Sequence, residues 1–256
     1  MLNMKMKIQM NIVKVSLLFM IMLAQTLLIT SCEEDEKTEP VQYGTVMDID
    51  SNVYKTVLIG GKWWMAENLR VEHYSNGDPI TLVGQFTNDY ATWDSAAPAY
   101  SIHPDATTLM GYLYNFEALN NPAGLAPAGW HIPTDEEWKQ LESSLGMESS
   151  AIAKTGWRGT TEGDALKATG VDNWKRYDPV WATNSSGFNA LSGSCRLFNG
   201  EFGYPGRLYT GFWWTATEDQ TEPGKAWYRY LDYKSSAVLR QSFSKRYGCS
   251  IRCVKD

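Results

Sequence analysis

The chain has 256 residues, with 29 acidic and 23 basic side chains and a formal net charge of −6. It holds no basic block, which sets nucleic acid aside as a partner, because phosphate binding needs clustered Lys and Arg. Eleven tryptophans and 14 tyrosines, punctuated by 21 glycines, favour strands and irregular loops over long helices.

Lys5, Lys7 and Lys14 precede an apolar run from Val15 to Ile29, and the small residues Thr30 and Ser31 follow it. That order reads as a secretory signal. The run is shorter than the about 20 apolar residues of a spanning helix. Leu28-Ile29-Thr30-Ser31-Cys32 resembles a bacterial lipobox. The resemblance implies cleavage before Cys32 and lipid on its sulfur and new amino group. Several acyl chains on one residue anchor firmly, where a single chain binds only marginally. The acidic run Glu33-Glu34-Asp35-Glu36 has two readings. It is a solvated spacer that repels itself, or it resembles the export signal of surface lipoproteins of Bacteroidota-type bacteria. The expected organisation is a signal peptide over 1–31, an acidic linker over 32–42 and one domain over 43–256. The expected address is the outer membrane, with the lipid-anchored chain exposed at the cell surface. Removing 1–31 takes away three lysines and no acid, leaving 225 residues with 20 basic and 29 acidic side chains. That length fits one large domain or two small ones, and suffices to bury about 70% of its unfolded surface.

Tyr43–Asp48 and Val53–Ile59 alternate around the turn formers Asp48-Ile49-Asp50-Ser51-Asn52, which predicts a hairpin. Gly60-Gly61 marks a second turn and Lys62–Ala66 a third strand. Asp78-Pro79 and Ala97-Pro98 punctuate a loop-rich middle. Tyr112–Leu119 fits a strand or a short helix. Thr134-Asp135-Glu136-Glu137 carries the N-cap and N3 carboxylate of a capping box after Pro133. Trp138, Leu141 and Leu145 follow at helical spacing, and Gly146 ends the run. Asp164–Thr169 predicts one or two helical turns. From Gly187 onward the pattern is β: Phe188–Arg196, Gly211–Thr217, Ala226–Tyr233, Ala237–Phe243 and Gly248–Val254.

Most chemical motifs fail on inspection. Asp48, Asp50 and Asn52 have the spacing of a calcium loop's first ligands, but Val53 and Ile59 stand where that loop needs Gly and a bidentate Glu. His73, His103 and His131 are scattered, without metal spacing. Ser194 lacks a nucleophile elbow. Asp135, Glu136 and Glu137 suit the positive end of the helix they open. No metal or cofactor is expected. Cys195, Cys249 and Cys253, in an oxidising compartment, allow one bridge and leave one thiol over. In a strand, Cys249 and Cys253 would lie about 13 Å apart at ~3.3 Å per residue, too far for a disulfide, whose Cα atoms lie within about 7 Å.

Six blocks in order carry a resemblance. Asp48-Ile49-Asp50-Ser51-Asn52-Val53-Tyr54-Lys55-Thr56-Val57 resembles the opening of the Fibrobacter succinogenes major paralogous domain. Trp64-Met65-Ala66-Glu67-Asn68-Leu69-Arg70 resembles its second block, and Gly129-Trp130-His131-Ile132-Pro133-Thr134-Asp135-Glu136-Glu137-Trp138 its central one. Asn184-Ser185-Ser186-Gly187-Phe188, Trp213-Trp214-Thr215-Ala216-Thr217-Glu218 and Ser250-Ile251-Arg252-Cys253-Val254-Lys255-Asp256 are similar to its closing blocks. The family implies bacterial secreted or lipid-anchored proteins. The Pro-Thr-Asp-Glu-Glu-Trp helix start and the Arg-Cys-Val end also look like the formylglycine-generating-enzyme group. The fold implied is α+β and C-type-lectin-like: mostly antiparallel β, one or two short helices, long loops. Cys195 and Cys249 stand where the family carries aromatic residues. Their joint appearance implies that they face each other, so a Cys195–Cys249 bridge is expected, with Cys253 reduced and buried.

The tryptophans suggest where a ligand would sit. Trp63-Trp64 and Trp213-Trp214 are adjacent pairs in strands, so one of each should point inward and one outward. Trp157-Arg158, Trp174-Lys175-Arg176-Tyr177 and Trp181 lie in a Gly/Asn/Asp-rich stretch. Loops on a rigid scaffold carry function, and aromatics beside arginine mark binding hot spots, although buried aromatics also anchor long loops. In the last β region, Trp227, Arg229, Leu231 and Tyr233 alternate with Tyr228, Tyr230 and Asp232. The sequence therefore predicts that Trp174, Tyr177, Tyr228, Tyr230 and Arg240 line one exposed concavity. The competing expectation is a sheet face covered by the 147–186 loops. The function expected is a non-catalytic, membrane-anchored binding module for a glycan or a surface protein. Two alternatives stand beside it: an oxidase of the formylglycine-generating type, built on Cys249 and Cys253, and a structural subunit of a surface assembly.

Overall fold

The computed structural model describes residues 40–84, 93, 97–104, 110–203 and 206–256. The signal segment, Cys32 and the acidic run lie outside the described residues. The first hairpin forms where the alternation predicts it. Strands β1 (Tyr43–Met47) and β2 (Val53–Ile59) pair antiparallel. Asp48 closes the turn: its carboxylate accepts from the backbone of Asp50 and Asn52, and from Tyr54 Oη at 2.6 Å. These residues serve as turn formers. β3 (Lys62–Met65) follows across the Gly60-Gly61 turn. β7 (Trp130–His131) and β12 (Val254–Lys255) complete a five-stranded sheet in the order β1-β2-β3-β12-β7.

A small second sheet joins β4 (Thr81–Leu82), β5 (Ala99–Ser101) and β6 (Leu113–Tyr114), with β4 and β5 parallel. The third sheet holds β8 (Gly156–Arg158), β9 (Thr210–Glu218), β10 (Lys225–Asp232) and β11 (Val238–Ser244), in the antiparallel order β8-β11-β10-β9. Four short helices stand among the described residues, where one or two were expected: α1 (Phe116–Leu119), α2 (Asp135–Ser144), α3 (Ser149–Ile152) and α4 (Glu162–Leu166). The ambiguous 112–119 stretch is both, a strand and then a helix. The two predicted strands Phe188–Arg196 and Gly248–Val254 form only isolated bridges, apart from Val254 itself. Buried loop backbone there bonds to several different segments instead of one neighbouring strand. The structure is mostly antiparallel β with short helices and is not a barrel.

α2 forms for the reasons its sequence states. The Thr134 hydroxyl accepts from the Glu137 amide while the Glu137 carboxylate accepts from the Thr134 amide, a complete capping box. Gly146, at φ 103°, ends the helical run. Trp138 and Leu141 bury the inner face against Trp64 and Phe188, with the Trp64 and Trp138 rings edge-on at 5.5 Å.

The apolar residues form two main clusters, and the large sheets send alternate residues into each. Met65 and Trp214 enter the first, with Tyr114, Phe116, Tyr228 and Ile251. Trp64 and Trp213 enter the second, with Trp138, Trp174, Phe188 and Leu231. Trp213 and Trp214 are therefore both buried, where one was expected to face outward. A strand covered on both faces has no solvent side. Each fully buried large side chain contributes roughly 1.5–3 kcal/mol.

Candidate functional site

A concavity with aromatic walls lies in the loop that follows α4. Trp174 fixes the base of that loop: it is buried in the second cluster, and its Nε1 donates to Ala190 O at 2.8 Å. The chain then turns outward. The Lys175 amide donates to Leu208 O at 2.8 Å, and the Val180 amide donates to Tyr177 O at 2.7 Å, closing a tight turn. That turn leaves Tyr177 43% and Trp181 50% exposed. Trp181 borders a cavity of about 170 Å³, lined among others by Lys167, Trp174, Arg176 and Tyr233.

Rings and cations pair in and beside this cavity. The Arg176 guanidinium sits 4.3 Å over the Trp181 ring. The Lys234 ammonium lies 5.6 Å from the Tyr177 ring and 5.3 Å from that of Tyr233, and the two tyrosines meet edge-on at 5.7 Å. Lys175 Nζ donates to Tyr209 Oη at 3.2 Å. Lys167 is buried. Its Nζ donates to Ser235 O at 2.5 Å and to Asp164 Oδ1 at 3.1 Å, and burial lowers its pKa against the opposing pull of Asp164. Lys167 thus braces the floor, while Arg176, which also pairs with Asp178 Oδ1 at 3.4 Å, and the exposed rings stand at the surface. Such a site offers apolar faces for stacking and fixed donors for hydroxyls.

The structure separates the five residues expected to share one concavity. Trp174 and Tyr177 belong to the loop just described. Tyr228 and Tyr230 lie on the other face of the four-stranded sheet, against the first cluster. Tyr228 is buried and contacts Phe243 at 3.9 Å between centroids; Tyr230 Oη donates to Asp232 at 2.6 Å. Arg240 is buried and bound by Asp135, with Nη2 to Oδ2 at 2.6 Å. The cause is register. Trp213 and Leu231 face the second cluster, so Tyr228 and Tyr230, one residue out of phase, face the first. The concavity keeps one of its five predicted residues, Trp174, with Tyr177 beside it in the same loop, and gains Arg176, Trp181 and Tyr233. Sequence reasoning marked the 174–181 stretch by its aromatic and basic composition. It missed Tyr233, whose neighbours lie far off in the chain.

Two polar clusters elsewhere have structural roles. Asp135 and Glu142 of α2 meet Arg158, Arg229 and Arg240 in a buried network. Glu142 takes Arg158 through two bonds of 2.8 and 2.9 Å and Arg229 Nε at 2.5 Å. Asp135 takes Arg229 Nη1 at 2.7 Å; burial opposes its ionisation, but Arg240 and Arg229 outweigh burial and lower its pKa. Asp135 thus does more than complement the helix dipole. At the surface, His131 bridges Asp256 at 2.6 Å and Glu137 at 2.9 Å, and Glu137 also holds Lys62 at 2.8 Å. Among the described residues, no group of three or more His, Cys, Asp or Glu is placed to hold a metal ion.

Cys195, Cys249 and Cys253 are free thiols and all are buried. Burial pushes the Cys195 thiol up to about 12, and holds those of Cys249 and Cys253 well above the ordinary range. Thiolate, the reactive form, is suppressed at all three.

Residues 57–255 match the Fibrobacter succinogenes major domain family, and the chain belongs to that family. No curated protein and no solved structure matches it.

Proposed function

We propose that this protein is a lipid-anchored surface protein whose folded domain binds a glycan in the Trp174–Trp181 loop. The observation that carries the reading is the half-exposed Trp181 ring, stacked with Arg176 in the wall of a small cavity, with the exposed Tyr177 packed against Tyr233 of the same wall. Soluble proteins seldom leave clustered aromatics in water without a use for them. The cavity volume is below the about 300–1,000 Å³ that encloses a whole drug-sized ligand. It suits one ring of a longer chain, with the neighbouring sugars lying across Trp181. The C-type-lectin-like likeness, the lipid on Cys32 and the outer-membrane address belong to the same proposal. They rest on the sequence blocks and the lipobox resemblance.

The complete burial of Cys249 and Cys253, which keeps solvent and substrate from both sulfurs, favours binding over thiol-dependent oxidation. A glycan-array screen of residues 40–256 tests the reading. Saturable capture of one glycan class, lost in Trp181→Ala and kept in Trp157→Ala, is the expected result. Capture of none, or undiminished capture by Trp181→Ala, overturns it.

A further inference from the structure

We infer that Cys195 and Cys249 form a cross-strand disulfide in the exported protein, with Cys253 left as a thiol. The backbone carries the argument. Arg196 and Gly248 form an antiparallel bridge with both hydrogen bonds, amide to carbonyl, at 2.8 Å. The residues flanking such a pair, Cys195 on one segment and Cys249 on the other, face each other without hydrogen bonds between them. In that kind of pair the Cα atoms stand about 4.5 Å apart, within the about 4.4–6.8 Å range of disulfides. Cys249 spends its own amide and carbonyl on Tyr114 on the opposite side, at 3.0 and 2.9 Å. Its backbone is therefore satisfied without Cys195. Both side chains enter the first apolar cluster, beside Tyr228. They are near enough that charge on Cys195 would disfavour charge on Cys249.

Cys253 is held elsewhere. Its carbonyl accepts from the Met65 amide at 2.9 Å, its amide donates to Met65 Sδ at 3.3 Å, and its thiol feels Asp48 in the first hairpin turn. The bridge would tie the 194–203 segment, which carries Arg196, to the end of the chain. No hydroxyl, solvent path or charged group is needed beside it.

The step is a thiol–disulfide exchange with a disulfide-bearing oxidant of the oxidising compartment. One cysteine thiolate attacks the oxidant's S–S bond, making a mixed disulfide and releasing one oxidant sulfur as a thiol. The second cysteine thiolate then displaces the other oxidant sulfur, also as a thiol. The protein loses two protons and two electrons, and the oxidant gains both. Both sulfurs are buried in the finished fold, so the exchange belongs to the folding chain, before the cluster closes.

The test uses the full-length chain, exported through an oxidising cell envelope, alkylated in denaturant and digested without reduction. The expected product is one peptide pair joining Cys195 to Cys249, two hydrogens lighter than its parts and separated by reductant, with Cys253 alkylated. A pair that includes Cys253, or alkylation at all three positions, overturns the inference. In Cys253→Ser the same linked pair should persist, and its loss there would also overturn the inference.

Discussion

Arg229 Nε donates to Glu142 Oε1 at 2.5 Å, joining β10 to α2 where neither side chain meets solvent. Glu142 also holds Arg158 through two bonds, so one carboxylate serves two buried guanidinium groups. Removing it would strand Arg158 and leave Arg229 to Asp135 alone. Breaking a buried ion pair from one side costs about 3–5 kcal/mol, because the remaining charge stays desolvated. Glu142→Ala should lose at least that much in denaturant unfolding. A loss under about 1 kcal/mol would mean that water enters and the network behaves like a surface pair.

The start of α2 offers a smaller test. Thr134 and Glu137 cap each other, and Thr134 is exposed. Thr134→Ala should cost about 1 kcal/mol, the usual value for a lost N-cap. An unchanged unfolding midpoint would show that the Thr217 hydroxyl, which accepts from the Asp135 amide at 3.0 Å, suffices to fix the helix start.

This helix was legible in the sequence because its signals are local. The capping box, the Trp138–Leu141 spacing and Gly146 lie within one short stretch. The first hairpin was legible for the same reason. The charge network was not, since Arg229 and Glu142 stand 87 positions apart and nothing near either announces the other. The candidate site was half legible. Composition marked Trp174 to Trp181, but which face of β10 joined it depended on a sheet covered on both sides. Alternation alone separates Tyr228 from Leu231 without saying which cluster each meets.

His131 should make stability depend on pH. Burial opposes its protonation, but hydrogen bonds to Asp256 and Glu137 outweigh burial and raise its pKa. A raised folded pKa gives stability that is full below the ordinary value of about 6.5, and that stability is lost as pH rises through the folded value. Glu137 runs the other way. Burial raises its pKa, but Lys62, Thr134 and His131 together lower it to about 2. Its contribution is present above its ordinary value of about 4.3 and fades as pH falls toward 2. The Asp256–His131–Glu137 contact should therefore be strongest between about pH 4.5 and 6.5. His131→Gln should flatten the fall in melting temperature between pH 6 and 8 relative to the parent. Parallel curves for the two proteins would refute the assignment.

Trp174 and Trp181 should fail in different ways, and the contrast separates scaffold from site. Trp174 is buried in the second cluster and bonded to Ala190, whereas Trp181 is half exposed and touched by Arg176. Truncating a buried tryptophan costs about 3–5 kcal/mol through lost transfer energy and the cavity left behind. Trp174→Ala should therefore lower stability sharply and weaken binding only as folded protein is lost. Trp181→Ala should change stability within about 0.5 kcal/mol, as exposed substitutions do, yet reduce glycan affinity by tenfold or more, since a stacked ring and its cation–π partner go together. Calorimetric unfolding and titration with the glycan captured on the array read the two effects separately. Equal losses of stability in both variants would make Trp181 a packing residue and remove the reason for placing the ligand beside it.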